Sequence, residues 1–324
     1  MVEVPGGSEN IARTQFDEKT FLRRARAAST LRTLAISFGV VVLVLVGFYV
    51  LTEIALQYHE ARIDNFYPEL VRLTEPNTVA LSGKRYDVRL FGRQKEYYLI
   101  RLIGEKPCPA GTVTVDFDVW GGEQTLGNYS FSIRPSHDGA GDSSLEVSAS
   151  IPEGAKEYIA PLAVPRLQFY YPVGEEDRVI REFETLRSVG DDSLVEMAIS
   201  FREPLTLEQV RSAVPSEVRI MWGAVWAFSD EEYRENSYLA TRRIVGNPCM
   251  ESREGEQEFI RALDRLSTVC GYHSQNIKRT LDFLKTNGVR YYGVVVVGQA
   301  KSVAKLASSS MVTAAVLGIV THPN

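Results

Sequence analysis

The chain has 324 residues, a net charge of −5, 44% hydrophobic and 24% charged residues. These proportions suit an ordinary globular protein, and the acidic balance argues against direct nucleic-acid binding by the bulk of the chain, which needs a basic face. Its three cysteines, Cys108, Cys249 and Cys270, are too few for a disulfide scaffold and lack the CxxC spacing of a zinc site. Cys249 and Cys270 flank a predicted helix; they are either bridged in an oxidising compartment or buried as thiols.

Residues 1–15 are rich in Gly, Asn and Pro and are expected to be disordered. Residues 16–32 read as a basic amphipathic helix, with Phe16, Phe21 and Leu22 spread over a broad apolar face and Arg23, Arg24, Arg26 and Arg32 among them. Such a helix suits a groove on a soluble partner or the surface of a membrane. Residues 33–52, TLAISFGVVVLVLVGFYVLT, hold no charge between Arg32 and Glu53. A helix of about 20 residues spans roughly 30 Å, the hydrocarbon thickness of a bilayer. A buried strand pair would be shorter and broken by a turn. A signal peptide would be shorter too, and would end in small residues rather than Phe48, Tyr49 and Val50.

The four arginines before the segment, against Glu53, Glu60 and Asp64 after it, orient the N-terminus to the cytoplasm. The chain is therefore read as a single-pass protein of the cell membrane, with a cytoplasmic segment over residues 1–32, a transmembrane helix over 33–52 and an extracytoplasmic remainder. Ala35, Gly39 and Gly47 give the membrane helix a small-residue side, which either packs against another helix or faces lipid.

Residues 53–66 are expected to continue outward as a stalk. Over residues 67–150, short runs of Val, Tyr, Phe and Ile are punctuated by Ser82–Gly83, Pro109–Ala110–Gly111, Gly121–Gly122 and Gly127–Asn128, which predicts a small mostly-β domain. SHDGAGDSS, residues 136–144, reads as a loop. Residues 175–324 repeat one order: strand 194–201, a helix opened by Thr206 with Gln209 at the capping-box position, strand 218–228; then strand 289–298, short helix 300–308, strand 311–320. Helical sequence over 255–269 and 273–287 lies between the copies, and Asn287–Gly288 signals a helix end. The fold class expected is α+β, a ferredoxin-like sandwich with a helical insertion. The almost continuously apolar VRYYGVVVVG and VRIMWGAVWAF suit central strands covered on both faces, the second by the inserted helices or the β domain.

Candidates for chemistry are sparse. His59, His137, His273 and His322 are scattered, and none falls in a metal or protease spacing. Cys270 and His273 stand near each other without a third orienting group. Glu175–Glu176–Asp177 and Asp230–Glu231–Glu232 read as solvated helix starts, and Trp120, Trp222 and Trp226 as core or sheet-face residues. No enzyme, metal or cofactor is expected.

Two stretches carry a resemblance: SLVEMAISFREPLTLEQVRSAVPSEVRIMWGAVWAF, residues 193–228, and GEQEFIRALDRLS with TLDFLKTNGVRYYGVVVVGQAKSVAKL, residues 255–267 and 280–306, closed by AAVLGIV. RRARAASTLRTLAIS, residues 23–37, adds a basic approach to the membrane helix. Together they resemble the sigma-factor regulator family of membrane-bound anti-sigma factors from Gram-positive bacteria. The resemblance implies a regulator whose cytoplasmic segment, through Phe16, Phe21, Leu22, Arg23, Arg24 and Arg26, binds an extracytoplasmic-function sigma factor while the exported domains receive an envelope signal. A member of that family carries a longer cytoplasmic part, and residues 1–32 here hold neither Cys nor His, which excludes the zinc-bearing type of anti-sigma factor. Either this short helix suffices, or a second membrane protein shares the binding, or the chain is an extracytoplasmic sensor without sigma binding.

Overall fold

The computed structural model describes residues 18–89, 91–104, 106–126, 167–170, 179–229, 231–232, 245–269 and 274–321. Contacts divide the chain into residues 1–55 and 56–324. The first unit is the leading part of one long helix, α1 (Glu18–Thr74). Its apolar side chains, among them Leu34, Phe38, Leu43 and Leu45, are exposed. This is the only described helix long and apolar enough to cross a membrane.

In the second unit, α1 becomes a packed element. Leu56, Ile63, Phe66, Tyr67, Leu70 and Val71 are buried at helical spacing. That stripe carries the helix past the expected end of the stalk at residue 66, and past Pro68, to Thr74. It lies on a four-stranded antiparallel meander of β1 (Thr78–Arg89), β2 (Gly92–Ile103), β3 (Lys106–Asp118) and β4 (Glu123–Leu126), ordered β1-β2-β3-β4. The rings of Tyr67 and Tyr97 meet at 4.7 Å.

Two expected turns are instead irregularities inside long strands. The register shifts between Ser82 and Arg85 on β1, and where Leu99 and Ile100 face Gly111 and Pro109 on β3. An extra residue opposite a continuous strand is absorbed as a bulge, so a local Gly or Pro signal does not reverse the chain. Trp120 also departs from expectation: it follows β3, where no sheet face continues, and is 86% exposed.

The second sheet is fully antiparallel and ordered β7-β6-β8-β5-β9, from β5 (Leu194–Leu205), β6 (Arg219–Val225), β7 (Gly246–Asn247), β8 (Tyr291–Gln299) and β9 (Val312–Thr321). The helices are α2 (Phe183–Arg187), α3 (Leu207–Ala213), α4 (Arg253–Val269), α5 (Ser274–Asn287) and α6 (Ala300–Val303), which tightens into a 3-10 turn over Ala304–Ser308. Thr206 caps α3 in a complete capping box with Gln209. Gly288, at φ +73°, donates its N–H to Leu284 O and closes α5 in a conformation that favours glycine.

β8 lies between β6 and β5, and Tyr291 through Gly298 are all buried. One core cluster joins Met197, Ile199, Val294 and Val296 to Val210, Phe259, Leu263 and Leu281 of the helices. The other gathers Ala198, Trp222, Tyr292, Val295 and Val316 around Leu167 and Phe169. The described residues thus form an α+β protein with two antiparallel sheets.

Candidate functional site

Phe21 and Leu22 are 56% and 46% exposed on the first turns of α1, and Arg23, Arg24, Arg26 and Arg32 on the same helix are exposed as well. Large apolar side chains beside arginines on a helix surface offer contact area to a partner or to lipid. Phe16 lies outside the described residues. Ala35, Gly39 and Gly47 are exposed, and an added Cβ on either glycine would meet nothing within 4 Å.

Sequence reading did not anticipate how α1 is gripped once it reaches the second unit. Glu60 and Asp64, one turn apart, face alternate residues of β2. Lys95 Nζ lies 2.5 Å from Asp64 Oδ2 and 3.2 Å from Glu60 Oε1, with only 7% of its side chain exposed. Arg93 and Arg85 reach Glu60 Oε2 at 3.6 and 3.4 Å. The Tyr97 hydroxyl donates to Asp64 Oδ1 at 2.8 Å, and burial, reinforced by Asp64, holds that phenol well above its usual pKa. The acids at i, i+4 and the bases at i, i+2 were legible as helix and strand spacings. Their pairing was not, because it joins positions more than 30 residues apart.

Two other polar nodes tie the unit together. Glu196 on β5, fully buried, pairs with Arg101 of β2 at 3.3 Å and accepts from Asn77 Nδ2 at 2.7 Å. The Tyr291 hydroxyl donates to Glu256 Oε1 at 3.0 Å and accepts from Asn247 Nδ2 at 2.9 Å. Burial raises the Glu256 pKa, and the Tyr291 hydrogen bond opposes that rise.

Cys249 is half-buried; Cys270 and His273 lie outside the described residues, as do Glu175–Glu176–Asp177 and Asp230. Among the described residues no three His, Cys, Asp or Glu side chains converge as a metal site. The arrangement holds a helix and offers a helical surface.

The family model described as "Sigma factor regulator N-terminal" matches residues 19–108, and "Sigma factor regulator C-terminal" matches residues 186–319. The chain is 24% identical over 269 residues to the probable anti-sigma-M factor YhdL of Bacillus subtilis (strain 168), covering 76% of this chain and 66% of that protein. It thus spans just under two thirds of that relative's length. No solved structure gives a significant match.

Proposed function

Because the chain belongs to the sigma factor regulator family, whose two modules between them match more than half of its length, we propose that it is a membrane-anchored anti-sigma regulator. Residues 1–32 stay in the cytoplasm and hold an extracytoplasmic-function sigma factor away from RNA polymerase. Residues 33–52 cross the cell membrane, residues 53–66 lead outward, and the mostly-β region over 67–150 and the α/β region over 175–324 receive an envelope signal. The arginine asymmetry about the span supports this orientation. The observation that carries the reading is one helix, α1, with exposed Phe21 and Leu22 beside arginines at its start and the Glu60–Asp64–Lys95 clasp toward its far end.

The protein acts by binding and release, without catalysis or nucleic-acid contact of its own. The aromatic and leucine face enters a groove on the sigma factor, and Arg23, Arg24 and Arg26 steer it to acidic surface. Ala35, Gly39 and Gly47 give a second membrane protein a side on which to pack. In the C-terminal region the long strands β5, β6, β8 and β9 lie in the spatial order second, third, first, fourth. That order supports a ferredoxin-like reading, with α4 and α5 as the insertion.

The test is Phe21→Glu with Leu22→Glu in the intact chain. Co-purification of the sigma factor should fall at least tenfold and its regulon should rise, with the membrane level of the protein unchanged. If partner recovery and regulon expression both stay at wild-type values, the sigma contact is not in this segment, and the chain is an extracytoplasmic sensor.

A further inference from the structure

β6 is fully paired on one edge and half paired on the other. Along β8 its pairing runs from Arg219 to Val225. On the opposite edge, β7 and the residue before it reach only Gly223, Ala224 and Val225. The reason is local. Pro248, directly after β7, has no N–H to donate. The next N–H, that of Cys249, goes to Asn247 Oδ1 at 2.8 Å, the turn-forming bond that Asn makes to its own backbone. The chain therefore leaves β6, and among the described residues no strand takes its place beside Arg219–Trp222. Exposure follows the pairing: Arg219 is exposed, Ile220 and Met221 are half-buried, and Trp222 to Val225 are buried.

A cleft of about 230 Å³ opens beside this edge. Val214, Val218 and Met250, all buried, line it with Ile220 as apolar wall. Its charged residues are Arg211 and Arg219 against one acid, Glu251. Arg211 is anchored by donating to Met250 O at 2.8 Å. Arg219 meets Glu251 at 3.6 Å with 65% and 84% of the two side chains exposed, a pair in water that contributes little and exchanges readily for another carboxylate.

Unpaired strand backbone beside apolar pockets is the arrangement to which an extended peptide adds as a strand. Main-chain hydrogen bonds hold such a peptide, and its alternate side chains fill the pockets. The excess of guanidinium over carboxylate selects a segment that carries an acid. Length selects a short one: the open edge, Arg219–Trp222, extends about 13 Å. The bulge at Met221 bends that edge, which disfavours long edge-to-edge pairing with a second copy of the chain.

We propose that the open half of β6 is a docking site for a short extended peptide of a partner protein, whose acidic side chain takes Arg219 from Glu251. The site uses residues between 211 and 251 alone, so it does not depend on how residues 1–52 act.

The test screens a display library of random nonapeptides against the full chain in detergent micelles. Enriched peptides should combine alternating β-branched residues with an Asp or Glu. The best of them, made synthetically, should slow amide exchange at least tenfold within residues 219–222 and leave β5 and β9 unchanged. Methylating alternate peptide nitrogens removes main-chain donors and keeps the side chains; in one of the two phases it should weaken binding at least tenfold. Arg219→Glu should weaken binding as much, at an unchanged melting temperature because the side chain is exposed, and should accept a peptide with Lys in place of the acid. Failure to enrich any peptide overturns the proposal. Binding that leaves residues 219–222 unprotected, or that is indifferent to N-methylation or to Arg219→Glu, overturns it too. Self-association of the full chain that Arg219→Glu abolishes, with no peptide enriched, would make a second copy the occupant and overturn it as well.

Discussion

Arg101 and Glu196 stand 95 residues apart in sequence and 3.3 Å apart in space, joining the centre of the meander to the second sheet. Glu196 has no exposed surface, and its carboxylate also takes the Asn77 amide at 2.7 Å and the Ile319 N–H at 3.4 Å. A buried charge is tolerated when it is paired and hydrogen-bonded, and is costly when one partner goes. Arg101→Met should destabilise the protein by about 3–5 kcal/mol, and adding Glu196→Leu should restore much of the loss. Urea unfolding of the full chain in detergent measures both. An unchanged midpoint for Arg101→Met would show that the pair does not join the sheets.

The clasp gives a second expectation. Lys95 is nearly buried between Glu60 and Asp64, so Lys95→Met leaves two partly buried carboxylates without their nearest cation. The cost is about 1–3 kcal/mol, in the range of hydrogen bonds to charged groups. If the clasp also relays the signal along α1, regulon expression should rise in this variant at an unchanged protein level. Full repression together with the loss of stability would confine Lys95 to a structural role.

Much of the second sheet was legible because its cues are local. The apolar run at Val294–Val297 marked a central strand, Thr206 with Gln209 marked a helix start, and Asn287–Gly288 marked a helix end. Each depends on neighbours within a few residues. The meander was legible as β, and its reversal at Gly121–Gly122 with it, but the bulge at Ser82–Gly83 was not told apart from a turn, since both carry small, glycine-containing pairs. Only the register across strands tells them apart. The passage of α1 beyond residue 66 was not legible: Pro68 lies inside the helix, and the stripe of Phe66, Tyr67, Leu70 and Val71 that carries it is recognised only by what it packs against. At the candidate site, the exposed Phe21 and Leu22 follow from helical spacing, whereas the clasp and the Arg101–Glu196 pair depend on tertiary approach.

Glu256 supplies a pH test. Burial raises its pKa above the ordinary value of 4.5 in the folded state, so the folded protein binds its proton more tightly than the unfolded chain. Stability contributed by this group is therefore greatest at low pH and is lost as pH rises from the ordinary carboxylate range through the raised folded value. Glu256→Gln keeps an oxygen to accept from Tyr291 but cannot titrate. Its melting temperature should decline less than that of the wild type across that window. Parallel curves for the two proteins would show that Glu256 titrates normally.

Trp222 closes the far end of α1. A helix leaves its last four carbonyls without partners inside the helix, and Arg72 O, in the final turn before Thr74, accepts from Trp222 Nε1 at 3.1 Å. The indole is 1% exposed and tilts against Phe169 at 5.8 Å between ring centres, so one side chain both fills the second core cluster and ties α1 to β6. Trp222→Phe keeps an aromatic ring but removes the donor, leaving a part-buried carbonyl unmet at a cost of about 1–3 kcal/mol. Trp222→Ala adds a cavity and should cost about 3–5 kcal/mol. Because the hydrogen bond acts on the end of the helix, amide exchange in Trp222→Phe should accelerate over residues 70–74 and stay at wild-type rates in the paired strands β5 and β8. Exchange that rises equally in the sheet would mean that the substitution loosens the core as a whole and that Trp222 does not act as the tether of α1.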